Sequence, residues 1–136
     1  MTTYSQCEIA SKKYRERNDC TVKAIAIAAG IPYDCAYSLL KSFGRRPRRG
    51  YKLQLHLSGI LSRLGLAVHQ RDYLIPAIKR KGSGLTMMTV SDYLPKRGVF
   101  LLWTARHVAC YRGGRVHDWT VGRKHRITNI TKIVPA

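Results

Sequence analysis

Acidic residues are scarce in this chain. Seven Asp and Glu stand against twenty-five Lys and Arg in 136 residues, a formal net charge of +18, with a pI near 10.4. That balance concentrates anionic partners around the protein, whether nucleic acid, an acidic protein face or anionic polymers. Long apolar runs are also missing. Nothing approaches the roughly 20 residues of a membrane span, and the opening "MTTYSQCEIASKKYRERN" lacks the apolar core of a secretory signal. A cytoplasmic location with no membrane partner is therefore expected. Cys7, Cys20, Cys35 and Cys110 form no CxxC pair, which favours free thiols over a disulfide framework. Internal repeats and low-complexity stretches are lacking too.

What is present suits one domain over residues 1–136, since a chain of this size buries about two-thirds of its unfolded surface. Residues 1–17 are polar and basic and read as an irregular N-terminal segment. Asn18 or Asp19 then stands where a short polar side chain caps a helix starting near Cys20. Val22, Ile25, Ala26 and Ala29 recur at helical spacing, and Gly30 supplies the left-handed stop. Beyond Ile31-Pro32, "YDCAYSLLKSF" reads as a second helix ending at Gly44, so the two form a helical hairpin. "RRPRRG" (45–50) is a basic loop. Leu53, Leu57, Ile60, Leu61 and Leu64 mark a third helix closed by Gly65, followed by a strand at "LAVHQR". "KRKGSG" (79–84) is a basic connection, and "TVSDYLPK" reads as a short fourth helix. From Gly98 the period changes: "VFLLWT", "RHVACYR", "RVHDWT" and "RITNITKIV" are β-branched and aromatic runs expected to form an antiparallel meander. Helices followed by strands predict an α+β domain, its N-terminal helices packed on a C-terminal antiparallel sheet.

Gly113-Gly114 divides two of these strands, and paired glycines supply the positive φ angles of a two-residue hairpin turn. With that turn, Cys110 faces His117 and Ala109 faces Asp118. His107 and Asp118 then become diagonal neighbours on one face, about 7–8 Å apart at the backbone. His117 points to the other face, beside Cys110. A three-residue turn would instead bring His117 to the His107 face.

The position of Cys20 gives this pairing a purpose. A cysteine in the first turn of a helix meets the positive end of the helix dipole and unpaired N–H groups, which favour thiolate over thiol. A histidine in reach completes a thiolate–imidazolium pair, and a carboxylate on the far ring nitrogen orients it. Cys20, His107 and Asp118 supply nucleophile, base and orienter, provided the helix sets its N-terminus against the His107 face. Asn18 and Asp19 flank the thiol and are the candidates to help hold an oxyanion, with a side-chain amide or the Cys20 N–H as donor.

"NDCTVKAIAIAAG", "GIPYDCAYSLL" and "RHVACYRGGRVHDW" resemble the small papain-like cysteine peptidase proteins encoded by many phages. More distantly, they are similar to bacteriocin leader peptidases and NlpC-type cell-wall endopeptidases. The resemblance covers roughly residues 15 to 120, its specific part being the Cys and His motifs. It implies a helix-borne nucleophile at Cys20, a strand-borne base at His107 and an orienting acid at Asp118. The implied activity is hydrolysis of a peptide or isopeptide bond in the host cytoplasm. Such proteins usually place a Gln a turn or so before the cysteine. Here that stretch is "KKYRERN", and the nearest preceding Gln is Gln6, which leaves Asn18 as the closest amide.

Three other readings compete. Cys20 also suits a plain core thiol, as Cys35 and Cys110 do, while Cys7 falls in the irregular segment without a role. A zinc site needs four converging ligands, whereas His107 and Cys110 point to opposite faces, so no metal or other cofactor is expected. The third reading is binding without chemistry, on a catalytically weak or inactive scaffold. Arg45, Arg46, Arg48 and Arg49, then Lys79, Arg80 and Lys81, then Arg123, Lys124 and Arg126 would form one basic surface. With Tyr51 and Tyr73 for stacking, it would take nucleic acid or an acidic host protein, mainly through phosphate or carboxylate contacts.

Overall fold

Between Cys20 and Ala29 the only charge is Lys23, and a helix with so little polar surface needs cover on nearly every side. A computed structural model, describing residues 2–73 and 84–136, meets that need by placing α2 (Cys20–Ala29) at the centre, with Thr21, Val22 and Ala24 to Ala28 buried. Gly30 ends it at φ +68, its N–H bonded back to the carbonyls of Ala26 and Ile27. α3 (Tyr33–Ser42) follows after Pro32 and buries Tyr33, Ala36 and Leu40. This is the expected hairpin.

The N-terminal expectation fails. Residues Tyr4–Lys13 form a helix, α1, opened by a capping box. The Gln6 N–H donates to the Thr3 hydroxyl at 3.2 Å and the Thr3 N–H donates to the Gln6 side-chain carbonyl at 2.9 Å. Cys7 anchors the helix in the core with 0% exposure. The third expected helix is divided: a 3₁₀ turn at Leu53–Leu55 precedes α4 (Leu57–Arg63), and both press leucines into the same core. The "TVSDYLPK" helix shrinks to a 3₁₀ turn at Val90–Asp92.

The strands are β1 (Leu66–Gln70), β2 (Val99–Thr104), β3 (His107–Arg112), β4 (Arg115–His117) and β5 (Asn129–Pro135). They form one antiparallel sheet in the order β1-β5-β2-β3-β4. Only β2-β3-β4 is a meander; β5 returns to lie between β1 and β2, which a strictly sequential reading misses. The described residues therefore have an α+β arrangement, four N-terminal helices against a five-stranded antiparallel sheet.

Strand alternation divides the core in two. Leu101, Trp103, Val108, Cys110 and Ile133 join the helices. Phe100, Leu102, Ala109, Tyr111 and Ile130 face the other way, under Leu85, Met87, Val90, Leu94 and Ile127. Cys110 is core as expected, but Cys35 is exposed, because it lies off the Tyr33–Ala36–Leu40 stripe. No helix among the described residues is long and apolar enough to cross a membrane.

Candidate active site

The Gly113-Gly114 turn adopts φ +63 and +82, and the register that follows pairs Cys110 with His117, Tyr111 with Val116 and Arg112 with Arg115. The ladder stops at His117, one residue short of the expected Ala109–Asp118 pair. Asp118 nevertheless reaches His107: its Oδ2 lies 2.7 Å from the His107 Nε2. The three-residue turn is excluded. His117 turns elsewhere, its Nε2 2.9 Å from the Arg112 carbonyl.

Asp118 is held from its own turn. The Thr120 hydroxyl and N–H donate to the same Oδ2 at 2.6 and 3.2 Å. Asp118 is 6% exposed and Thr120 0%, so water does not compete for these bonds. The short spacing D-x-T was the sequence signal for this brace, a side-chain bond to a backbone N–H two residues on.

Cys20 completes the group. With Nε2 facing Asp118, Nδ1 is the ring nitrogen left for the sulfur. Burial opposes the charge on the ring, but the hydrogen bond and charge of Asp118, with the neighbouring Cys20 acting in the same sense, outweigh it and raise the His107 pKa to about 9. The imidazolium is thus the form favoured at neutral pH. Burial above all pushes the core thiols of Cys7 and Cys110 up, to about 11 and about 12, against the lowering charges of Lys23 and Arg112, so neither competes as a nucleophile.

The meeting of Cys20 and His107 differs in one respect from the expected geometry. α2 packs on the Val108–Cys110 face, whereas alternation assigns His107 to the parity of Ala109 and Tyr111. The contact is made at the end of the sheet, where His107 is the first residue of β3. At the other end, Arg112 Nη1 donates to the last carbonyls of α2, Ile27 at 2.9 Å and Ala28 at 3.1 Å. α2 and β3 therefore run side by side in the same direction, tied at both ends. A cation on the negative end of a helix is the favourable sign.

Asp19 requires a correction. It is the N-cap residue of α2, yet its side chain makes no cap. Its carboxylate turns inward to accept from the Ser11 hydroxyl and the Tyr33 phenol, both at 2.7 Å, with Lys23 Nζ at 3.5 Å. An ionised acceptor so engaged has nothing to give an oxyanion. The first-turn N–H groups of α2 are left without a side-chain cap, beside the cavity that Cys20 and Thr21 line. Asn18 sits at φ +54 and donates its amide to the Arg48 carbonyl at 3.3 Å, with one amide N–H to spare.

Cys20, His107, Asp118, Asn18, Gln54 and Trp119 open onto one cavity of about 780 Å³. That volume falls in the usual range for ligand sites, about 300–1,000 Å³. Gln54 is an amide that sequence distance concealed: it lies after the cysteine, on the Leu53–Leu55 turn, while Gln6 is spent in the α1 cap. Trp119 stands beside the base, its ring centroid 5.6 Å from that of His107, with the Arg123 guanidinium 5.4 Å from the Trp119 ring.

The basic candidates divide. Arg46, Arg48 and Arg49, like Arg123, Lys124 and Arg126, are exposed. Arg45 is not: its side chain is 2% exposed and pairs with Glu16 at 2.8 Å, so it braces the loop instead of offering a charge. Lys79, Arg80 and Lys81 lie outside the described residues. Tyr51 lines the cavity, but Tyr73 packs edge-on against Phe100 at 5.2 Å and is no part of a basic face. No family model, no curated protein and no solved structure matches the chain.

Proposed function

We propose that this protein is a papain-like cysteine hydrolase of the small phage-encoded kind, cutting a peptide or isopeptide bond in the cytoplasm. One observation carries the reading: Asp118 holds the His107 ring at 2.7 Å in the same cavity wall that Cys20 lines. The Cys20 sulfur attacks the substrate carbonyl carbon, and the oxyanion that forms is met by the uncapped N–H groups of α2 and an amide of Gln54 or Asn18. His107 gives its proton to the leaving amine as the C–N bond breaks, leaving an acyl thioester on Cys20. Water, deprotonated by His107, then releases the acid and restores the thiol. Asp118 holds the ring throughout.

A thiol-directed probe near neutral pH tests this, because the chain carries its own control: Cys35 is exposed and has no such partner among the described residues. Cys20 is expected to label well ahead of Cys35, and His107→Ala to remove the advantage. Equal rates at the two cysteines, or no effect of His107→Ala, would sink the reading.

A second reading rests on the exposed Arg46–Arg49 and Arg123–Arg126 stretches, whose loops reach the same cavity at Gly50 and Trp119. Here the scaffold binds nucleic acid or an acidic host protein without chemistry. It predicts salt-sensitive retention on an oligonucleotide that survives Cys20→Ala.

A further inference from the structure

All seven acidic residues of the chain lie within the described segments, so their partners can be followed one by one. Glu8 and Asp19 pair with Lys23, Glu16 with Arg45 and Asp118 with His107. Asp34, Asp72 and Asp92 form no ion pair among the described residues. Two cations that line the cavity, Lys52 and Arg106, belong to none of these pairs, and both are exposed. The two carboxylates in the same wall, Asp19 and Asp118, are turned to internal donors. The charge that this cavity offers an incoming ligand is therefore positive.

The backbone at Arg106 is a second, independent observation. Thr104 pairs with His107, which makes Ala105-Arg106 a two-residue turn, and Arg106 sits in it at φ +62. Glycine or asparagine takes that conformation with less strain. Here an arginine occupies it, directly before the base, and its side chain lines the cavity.

We propose that Lys52 and Arg106 form an anion subsite beside Cys20, and that the scissile bond is flanked by an Asp or Glu of the substrate. The inference rests on Cys20 being the nucleophile. A peptide fits better than a nucleic acid, because the thiol on which the inference rests attacks a carbonyl carbon, and Cys20 shares this cavity with both cations. Opposite charge then sets which peptide is retained and in which register.

The test uses three peptidyl electrophiles that differ only in carrying Glu, Gln or Lys next to the reactive carbon, with the labelling rate of Cys20 as readout. The Glu probe is expected to react at least tenfold faster than the Lys probe, with Gln between. Lys52→Gln/Arg106→Gln should level the three rates while leaving a small neutral alkylating agent as fast as before. Rapid labelling of Cys20 at equal rates by all three probes would overturn the subsite and leave the hydrolase standing. So would an order that persists in the double variant. Uniformly slow labelling, no faster than in His107→Ala, removes the activated thiol and the subsite together. Protection of Cys20 by a single-stranded oligonucleotide, but not by an acidic peptide, would assign the two cations to phosphate instead and overturn the peptide.

Discussion

Asp19 and Asp118 line the same cavity, both are buried, and each gathers its hydrogen bonds on one carboxylate oxygen, two hydroxyls at Asp19 and three donors at Asp118. Their partners differ in origin. Ser11, Lys23 and Tyr33 reach Asp19 from α1, α2 and α3, so this carboxylate closes three helices on one another. Thr120 and His107 reach Asp118 from its own turn and from β3, so it aims a single ring. Burial disfavours the Asp19 charge, but the Tyr33 and Ser11 hydrogen bonds and the Lys23 charge outweigh it and hold its pKa below the usual carboxylate range. Two similar groups with similar burial thus separate into one that secures the fold and one that serves the base.

The sharpest way to break this contrast is to neutralise each aspartate in turn. Asp118→Asn should slow the probe reaction of Cys20 by about a thousandfold, the upper-middle range for loss of a positioned acid–base group. Asp19→Asn should change that rate only a few-fold. Equal losses would erase the distinction. The next effect is on stability. Asp19→Ala leaves two buried hydroxyls without their acceptor and Lys23 with Glu8 alone, and is expected to cost about 3 kcal/mol, read from the urea midpoint. Asp118→Ala should cost about 1–2 kcal/mol.

The two centres should also fail at opposite ends of the pH scale. The Asp19 pKa is lowered by folding, so its contribution is complete above the unfolded value near 3.9 and drains away as pH falls through the lower folded value. The His107 pKa is raised to about 9, so its contribution is complete below the unfolded value near 6.5 and is lost as pH rises through the folded one. Urea midpoints from pH 3 to pH 10 should show the wild type approaching Asp19→Asn in acid and His107→Gln in alkali. The smallest effect expected is that of Thr120→Val, about 1 kcal/mol, with a few-fold slower Cys20 reaction as Asp118 loses its brace. An unchanged rate would mean that His107 and the backbone N–H of residue 120 suffice to hold Asp118.

Parts of this arrangement were legible because they are local. Gly30 ends α2 where the left-handed residue stands, and Gly113-Gly114 makes the two-residue turn that carries Asp118 toward His107. The Thr3-x-x-Gln6 capping signal is equally local, but the polar composition of residues 1–17 masks it; Cys7, buried in the core as α1 packs on α2 and α3, decides that segment. Cys35 and Cys7 exchanged their expected places for a related reason: which face of a short helix is buried depends on what lies beneath it. Thr120 could have been read from its spacing to Asp118. Gln54 could not, since its arrival in the cavity wall depends on a loop held by Glu16 and Asn18.

The sequence by itself determined helix ends, strand alternation and the tight turns, because those follow from backbone sterics and side-chain periodicity within a few residues. Tertiary structure alone decided that β5 would enter between β1 and β2, that Asp19 would face inward, and that Cys20 would meet His107 at the end of the sheet. These outcomes depend on burying α2 on nearly every side and on satisfying buried charges with partners far along the chain, and no short window of sequence contains those partners.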